Sequence, residues 1–250
     1  MGETGSRPRA AARFLTCADP GLQDPRLFGR RRGRALRVGQ QTLITELLPR
    51  VAVRLPASGY LDPRALFASP LRAMWLEIGF GGGEHLALQA QCRPEVGFVG
   101  CEVFENGVVK LLAQIVHHGI DNIRIFANDA RLLIASLPRG SIDRVFILFP
   151  DPWPKHRHHK RRIITRQTLD RLAEIMNDNG ELRIATDDSD YLCWILERVT
   201  VHPDFEWPAR RPRDWRERPY DWPPTRYEEK AQLAGRSPAF LRLMRRPRDQ

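Results

Sequence analysis

The chain is 250 residues long, 42% hydrophobic, and carries a formal net charge of +10. That length and apolar content suit one sizeable α/β domain with extensions and argue against two large domains. No run of eighteen apolar residues occurs, which excludes a membrane-spanning helix, and the positive charge favours a polyanionic partner. Only Lys110, Lys155, Lys160 and Lys230 are lysines; the other basic residues are arginines. The skew suits bidentate phosphate binding or reflects a GC-rich genome. Cys17, Cys92, Cys101 and Cys193 form no C-x-x-C pair, as expected of a reduced cytoplasmic protein without a metal site. The start "MGETGSRPRAAARFL" has no apolar signal core, although it fits the loose M-G-x-x-x-S pattern of N-myristoylation.

In chain order, arginines far outnumber acids over the first forty residues, ending in "GRRRGRALRVGQQ". This reads as a basic, partly flexible arm over 1–45, ahead of a domain over 46–250 that includes a C-terminal segment at 208–236, to which the family resemblance given below assigns substrate binding. From residue 73, β-rich runs alternate with helical ones. They are "AMWLEIGF", a helix through "EHLALQAQC", "GFVGCEV", a helix through "ENGVVKLLAQIVHHG", "NIRIFA", a short helix, and "DRVFILF". That alternation predicts βαβ units and a parallel sheet. A helix over "RQTLDRLAEIMNDNG", stopped by Gly180, leads to the strand "ELRIAT" and a helix after "DDSD". Beyond Pro203 the pattern breaks into a Pro-, Trp- and Arg-rich segment, and "AFLRLMRR" reads as a final strand.

Chemistry enters at "LEIGFGGGEH", where Glu77 lies near the end of the first strand and Gly79, Gly81 and Gly83 fill the turn. Glycines there let backbone approach a cofactor, or merely make a tight turn. Glu102, nineteen residues after Gly83 at the end of the next strand, can accept both hydroxyls of a ribose. A carboxylate in the turn would repel a pyrophosphate, so Glu77 argues for a cofactor with positive charge, such as S-adenosylmethionine. After the third strand, Asp129 either caps a helix or accepts from an adenine amine. The fourth strand ends in "FPDPWPKHRHHKRR", whose three prolines hold Asp151 and Trp153 in a stiff corner. Five fixed cations follow within eight residues, which points to phosphate binding beside the reacting centre; the histidines lack the partners a metal site needs.

Together "FPDPWPKHRHHKRR", "LEIGFGGGEHL" and "DWPPTRYEEKAQLAGR" resemble the bacterial tRNA (guanine-N7)-methyltransferase family, over roughly residues 30–245. The resemblance implies a class I S-adenosylmethionine-dependent methyltransferase, a Rossmann-like α/β fold whose mixed seven-stranded sheet is flanked by helices. It also implies methyl transfer to a guanine in the tRNA variable loop (position 46), with tRNA as partner, no membrane, and a monomer or homodimer. Carried over, the cofactor residues are Glu77, Glu102, Asp129 and Asp151 with the turn glycines, Asp151 being also the catalytic candidate. The substrate side falls on Lys155, Asp187, Thr225, Arg226, Tyr227 and Glu228. The RNA-contacting block is Arg157, His158, His159, Lys160, Arg161 and Arg162. Departures are Asp188 beside Asp187, Tyr227 where phenylalanine is also expected, and Ala231 where glycine is frequent.

Two rivals make different demands. A nicotinamide-dependent oxidoreductase would share the sheet and Glu102 but wants a cleaner G-x-G-x-x-G and has no use for the basic block. A non-catalytic RNA-binding protein on the same fold would keep the arginines and lose the cofactor carboxylates, whereas Glu77, Glu102, Asp129 and Asp151 are all present.

Overall fold

The computed structural model describes residues 29–248. Most of the basic arm, with Cys17 and the myristoylation-like start, lies outside the described residues. The strands are β1 (Ala73–Ile78), β2 (Val96–Cys101), β3 (Ile123–Phe126), β4 (Ile142–Leu148), β5 (Met176–Thr186), β6 (Phe205–Glu206) and β7 (Ala239–Arg245). They form one sheet in the order β3-β2-β1-β4-β5-β7-β6. β1 to β5 are parallel, and β7 returns antiparallel against β5 with β6 at its outer edge. The expected parallel sheet and final strand are both present, in the mixed seven-stranded form.

α1 (Val38–Thr42) continues through a π-helical stretch, Leu43–Leu47, into α2 (Leu48–Val51). α3 (Glu84–Cys92), α4 (Glu105–His118) and α5 (Ala130–Ser136) link the first strands, and α6 (Arg166–Ile175) and α7 (Ser189–Val199) flank β5. The C-terminal segment holds α8 (Arg213–Arg216) and α9 (Arg226–Leu233). The period of two in β1 sorts its side chains. Met74, Leu76 and Ile78 join a core with Leu133 of α5, Leu172 of α6 and Ile195 of α7. Trp75 faces the opposite core, with Leu86 of α3, Leu111 and Leu112 of α4, and Trp222. Burial on both faces explains why the parallel strands read as apolar runs.

Asp129, Thr165, Asp188 and Thr225 cap α5, α6, α7 and α9, each accepting a backbone N–H of the first turn. The end of the arm is anchored: Asn106 Oδ1 accepts from Gly33 N at 2.7 Å, and its Nδ2 donates to Arg34 O at 2.9 Å. No helix among the described residues is long and apolar enough to cross a membrane.

One helix boundary differs from the sequence reading. α6 ends at Ile175, and Gly180 lies within β5 rather than stopping a helix. The pairing of β4 with β5 slips between Ile142 and Arg144, and Asn179, not Gly180, takes the left-handed conformation at φ 63°. Gly180 is needed for space: a Cβ there would stand 2.8 Å from Asn177 O and 3.1 Å from Asp143 O. Gly180→Ala is therefore expected to lower unfolding free energy by about 1–3 kcal/mol in urea titration, through overpacking against backbone that cannot move aside.

Candidate active site

The carboxyl ends of β1 to β4 gather the four carboxylates named from the sequence. β1 lies between β2 and β4, so the strand order reverses there and opens a crevice at its end. Gly79, Gly81 and Gly83 all have φ between 59° and 78°, a region that side chains rarely adopt. A Cβ on Gly81 would stand 3.0 Å from the Tyr227 hydroxyl. The turn is thus shaped as much by what must approach it as by its own bend.

Glu102 fastens the turn. Its Oε2 accepts from Gly81 N at 2.7 Å, and Oε1 accepts from Val103 N and Phe104 N at 2.8 and 2.9 Å. Burial nevertheless pushes its pKa up against those three donors, and Asp151 adds to the rise. Oε2 retains a lone pair for a hydroxyl. Glu77 is buried beneath the turn, with Oε2 2.6 Å from His85 Nδ1. Asp129 performs the capping role. It accepts from Arg131 N at 2.9 Å and pairs with the Arg131 guanidinium, with Nη2 at 2.5 Å from Oδ2.

Asp151 sits between Phe149 at φ 50° and Trp153 at φ 48°, two bulky residues in left-handed conformations. Such strain persists only where surrounding structure enforces it. The enforcing group is Arg162. Its side chain is 1% exposed, its Nε donates to Pro152 O at 2.8 Å, its Nη2 pairs with Asp190, and its guanidinium lies 4.8 Å from each of the Tyr191 and Trp194 rings. This corrects the sequence assignment of Arg162 to the RNA-contacting block: the residue is an internal brace for the corner. Arg161 is half-buried over the Trp153 ring, and His159 is half-buried between His156 and Trp194. Lys155, His156, Arg157 and Lys160 are the exposed members. Asp151 is itself exposed, yet desolvation by its surroundings raises its pKa.

The substrate-side residues come to the same edge. Thr225 caps α9, and Tyr227 stacks on Phe149 with ring centres 6.3 Å apart and planes 21° from parallel. Arg226 Nη2 donates to the Tyr227 hydroxyl at 3.2 Å, and Arg226 Nε is 3.7 Å from Glu84 beside the glycine turn. Glu228 is buried against Arg218 Nε at 3.1 Å, with Oε2 unpaired. Asp187 binds Arg236 Nε at 2.7 Å and lines an open hollow of about 310 Å³ with Thr186, Ser189 and Ser237. Asp188 is accounted for as the cap of α7.

A buried ion cluster, not foreseen from the sequence, seats this segment. Arg183 in β5 is 1% exposed and binds Glu181 at 2.9 Å and Asp221 at 2.6 Å; Arg144 in β4 binds the same Glu181 at 2.8 Å. Burial pushes the Arg144 pKa down to about 10, whereas in Asp221 the two arginines overcome burial and hold the pKa low. Its sequence signal is an arginine inside the otherwise apolar "LRIA", facing an aspartate beside a tryptophan in "YDW".

The donor set fits a cofactor with net positive charge: four carboxylates gather on one edge of a chain that is +10 overall. Among the described residues no cluster of His, Cys, Asp or Glu is placed to hold a metal ion. For the brace, Arg162→Ala is expected to cost about 2–4 kcal/mol in urea unfolding, since it removes a buried charge, a carbonyl contact and two ring contacts together. The exposed Lys160→Ala is expected to change stability by less than about 0.5 kcal/mol.

Comparison with known proteins agrees with this geometry. A family described as "Putative methyltransferase" matches residues 72–241. A tRNA (guanine-N(7)-)-methyltransferase of Rhodospirillum rubrum is 53% identical over 231 residues, covering 90% of each chain. One of Paramagnetospirillum magneticum is 48% identical, covering 90% of this chain and 94% of the relative. In fold, the chain is similar to a 16S rRNA (adenine(1408)-N(1))-methyltransferase from Catenulisporales acidiphilia, at TM-score 0.50 and 15% identity over 78% of this chain and 100% of that one. With the sheet, the glycine turn and the Asp151 corner on one edge, and relatives of this identity over nearly the whole chain, the protein belongs to the tRNA (guanine-N7)-methyltransferase family.

Proposed function

We propose that the protein transfers the methyl group of S-adenosylmethionine to N7 of a guanine in the variable loop of tRNA. Family membership supports the reaction and its donor. The observation that best supports the site is the meeting of Tyr227 with the Gly81 turn, which puts the "TRYE" residues of α9 against the edge where the carboxylates converge.

The cofactor supplies an electrophilic methyl group on a sulfonium. Glu102 is placed for the ribose hydroxyls, Glu77 for the ammonium, and Asp129, already bound to Arg131, for the adenine side. Guanine N7 has a lone pair and no proton, so no general base is required and positioning dominates. Asp151, projecting from a braced corner, is the group to stabilise positive charge developing on the imidazole side of the base. Asp187 or Glu228 can instead grip the N1 and N2 donors and confer base selectivity. A variable-loop guanine is stacked in folded tRNA, and the exposed Tyr227, with Trp153 near the same corner, offers a surface for it once extruded. Lys155, Arg157 and Lys160, with Arg30, Arg31, Arg32 and Arg34 of the arm, supply the phosphate-facing charge. A tRNA substrate supports a cytoplasmic location.

The direct test is nucleoside mass spectrometry with nuclease mapping of tRNA after incubation with enzyme and cofactor, which should find 7-methylguanosine in the variable loop. Methylation of another base or another loop contradicts the reading. Asp151→Asn is expected to cut the single-turnover rate by about tenfold or more while tRNA affinity stays within about twofold, as measured by rapid quench and filter binding.

Glu102 and Asp151 also predict a pH effect. Both have raised pKa values in the ligand-free protein. The folded state therefore holds these protons more tightly than the unfolded chain, and their contribution to stability is lost as pH rises from the ordinary carboxylate range through the raised values. S-adenosylmethionine carries net positive charge and favours the ionised carboxylates, so its binding should release protons and tighten with pH across that window. Calorimetry in mildly acidic buffers of different ionisation enthalpy measures this, with neutral S-adenosylhomocysteine showing a weaker pH dependence.

A further inference from the structure

On α3, His85 and Gln89 are four residues apart, on one face, and 3% and 1% exposed. Buried polar groups in a helix face that should be apolar call for an explanation. Their hydrogen bonds form a line. Gln89 Oε1 accepts from Arg93 Nη1 at 2.5 Å, which fixes the amide so that Nε2 faces His85 Nε2 at 3.2 Å and Asp221 O at 3.1 Å. The amide nitrogen has only protons to offer, so His85 Nε2 is the bare acceptor. The ring proton is then on Nδ1, aimed at Glu77 Oε2 at 2.6 Å. Every member is satisfied with a neutral imidazole, and the line ends on Asp221, whose carboxylate is held by Arg183.

Resting on the cofactor role given to Glu77 above, we propose that His85 is a positioning residue that aims Glu77 at the cofactor. Gln89 is the joint that registers this carboxylate against the substrate segment around Asp221. The relay runs from beneath the glycine turn to the root of α9, so one buried line sets the spacing between the cofactor side and the tRNA side. The imidazole edge packs on Phe146, with ring centres 4.8 Å apart, which leaves it little freedom to rotate away.

The first measurement uses the wild-type protein and depends on no variant: nitrogen-15 NMR of His85 should show the Nδ1–H tautomer with an unprotonated Nε2. An Nε2–H tautomer overturns the relay. The second uses calorimetry with S-adenosylhomocysteine on the full chain. His85→Asn places an amide nitrogen near the Nδ1 position and should keep affinity within about threefold, whereas His85→Phe removes the donor to a charged acceptor and should weaken it about tenfold or more. Equal affinity in both, or equal loss in both folded variants, overturns the positioning role. Gln89→Leu should leave S-adenosylhomocysteine affinity within about threefold and weaken tRNA binding by about threefold or more; unchanged tRNA binding overturns the joint. A wild-type protein that does not bind S-adenosylhomocysteine defeats the cofactor assignment instead, and leaves the tautomer result standing.

Discussion

The gathering of four carboxylates at one edge of the sheet is the constraint on which the rest depends. The chain carries an excess of ten positive charges, yet Glu77, Glu102, Asp129 and Asp151 converge where β1 to β4 end. Carboxylates taken out of water are pushed up in pKa by burial, as Glu102 and Asp151 both are, and in Glu102 the nearby Asp151 charge adds to the rise. A positively charged ligand relieves it. The basic surface lies just beyond, in Lys155, Arg157 and Lys160, where a polyanion can approach without meeting the carboxylates first. In the proposed reaction cofactor and RNA would be sorted by sign over a short stretch of chain, with the Asp151 corner as the boundary.

That sorting needs rigid backbone, and buried arginines supply it. Arg162 grips the corner from inside through Pro152 O, and Arg183 seats the C-terminal segment through Asp221. Replacing such internal ion pairs by apolar side chains often leaves a fold as stable or more so, so they are better understood as fixing one arrangement than as adding stability. Here each fixes a segment that carries candidate site residues: Asp151 in the first case, Thr225 to Glu228 in the second. The arginine-rich composition therefore serves two purposes, and only part of it faces solvent.

How much of this was legible follows from what each residue's neighbours are. The strands of the parallel sheet, the glycine turn and the Asp151 corner are local patterns, and they appear where their periodicity and turn chemistry put them. Arg162 misled because a run of cations gives no sign of which member turns inward; its partners Asp190, Tyr191 and Trp194 come from α7. Gly180 misled because a glycine after a helical pattern looks like a stop, while the need for space arose from the facing backbone of Asp143. His85, Gln89 and Arg183 passed unnoticed because their partners lie on other elements. Asp129 had two readings from its position, and its capping bond settles what it does in the ligand-free protein, where it also holds Arg131.

Charge sorting is tested most directly by titrating one protein with both ligands across a salt series. Log tRNA affinity is expected to fall linearly with log salt, by about 0.7–0.9 in slope for each phosphate contact, while S-adenosylmethionine affinity stays nearly flat because its ammonium meets Glu77, buried away from the ions of the solvent. A tRNA affinity indifferent to salt, or a cofactor affinity that falls equally steeply, would contradict it.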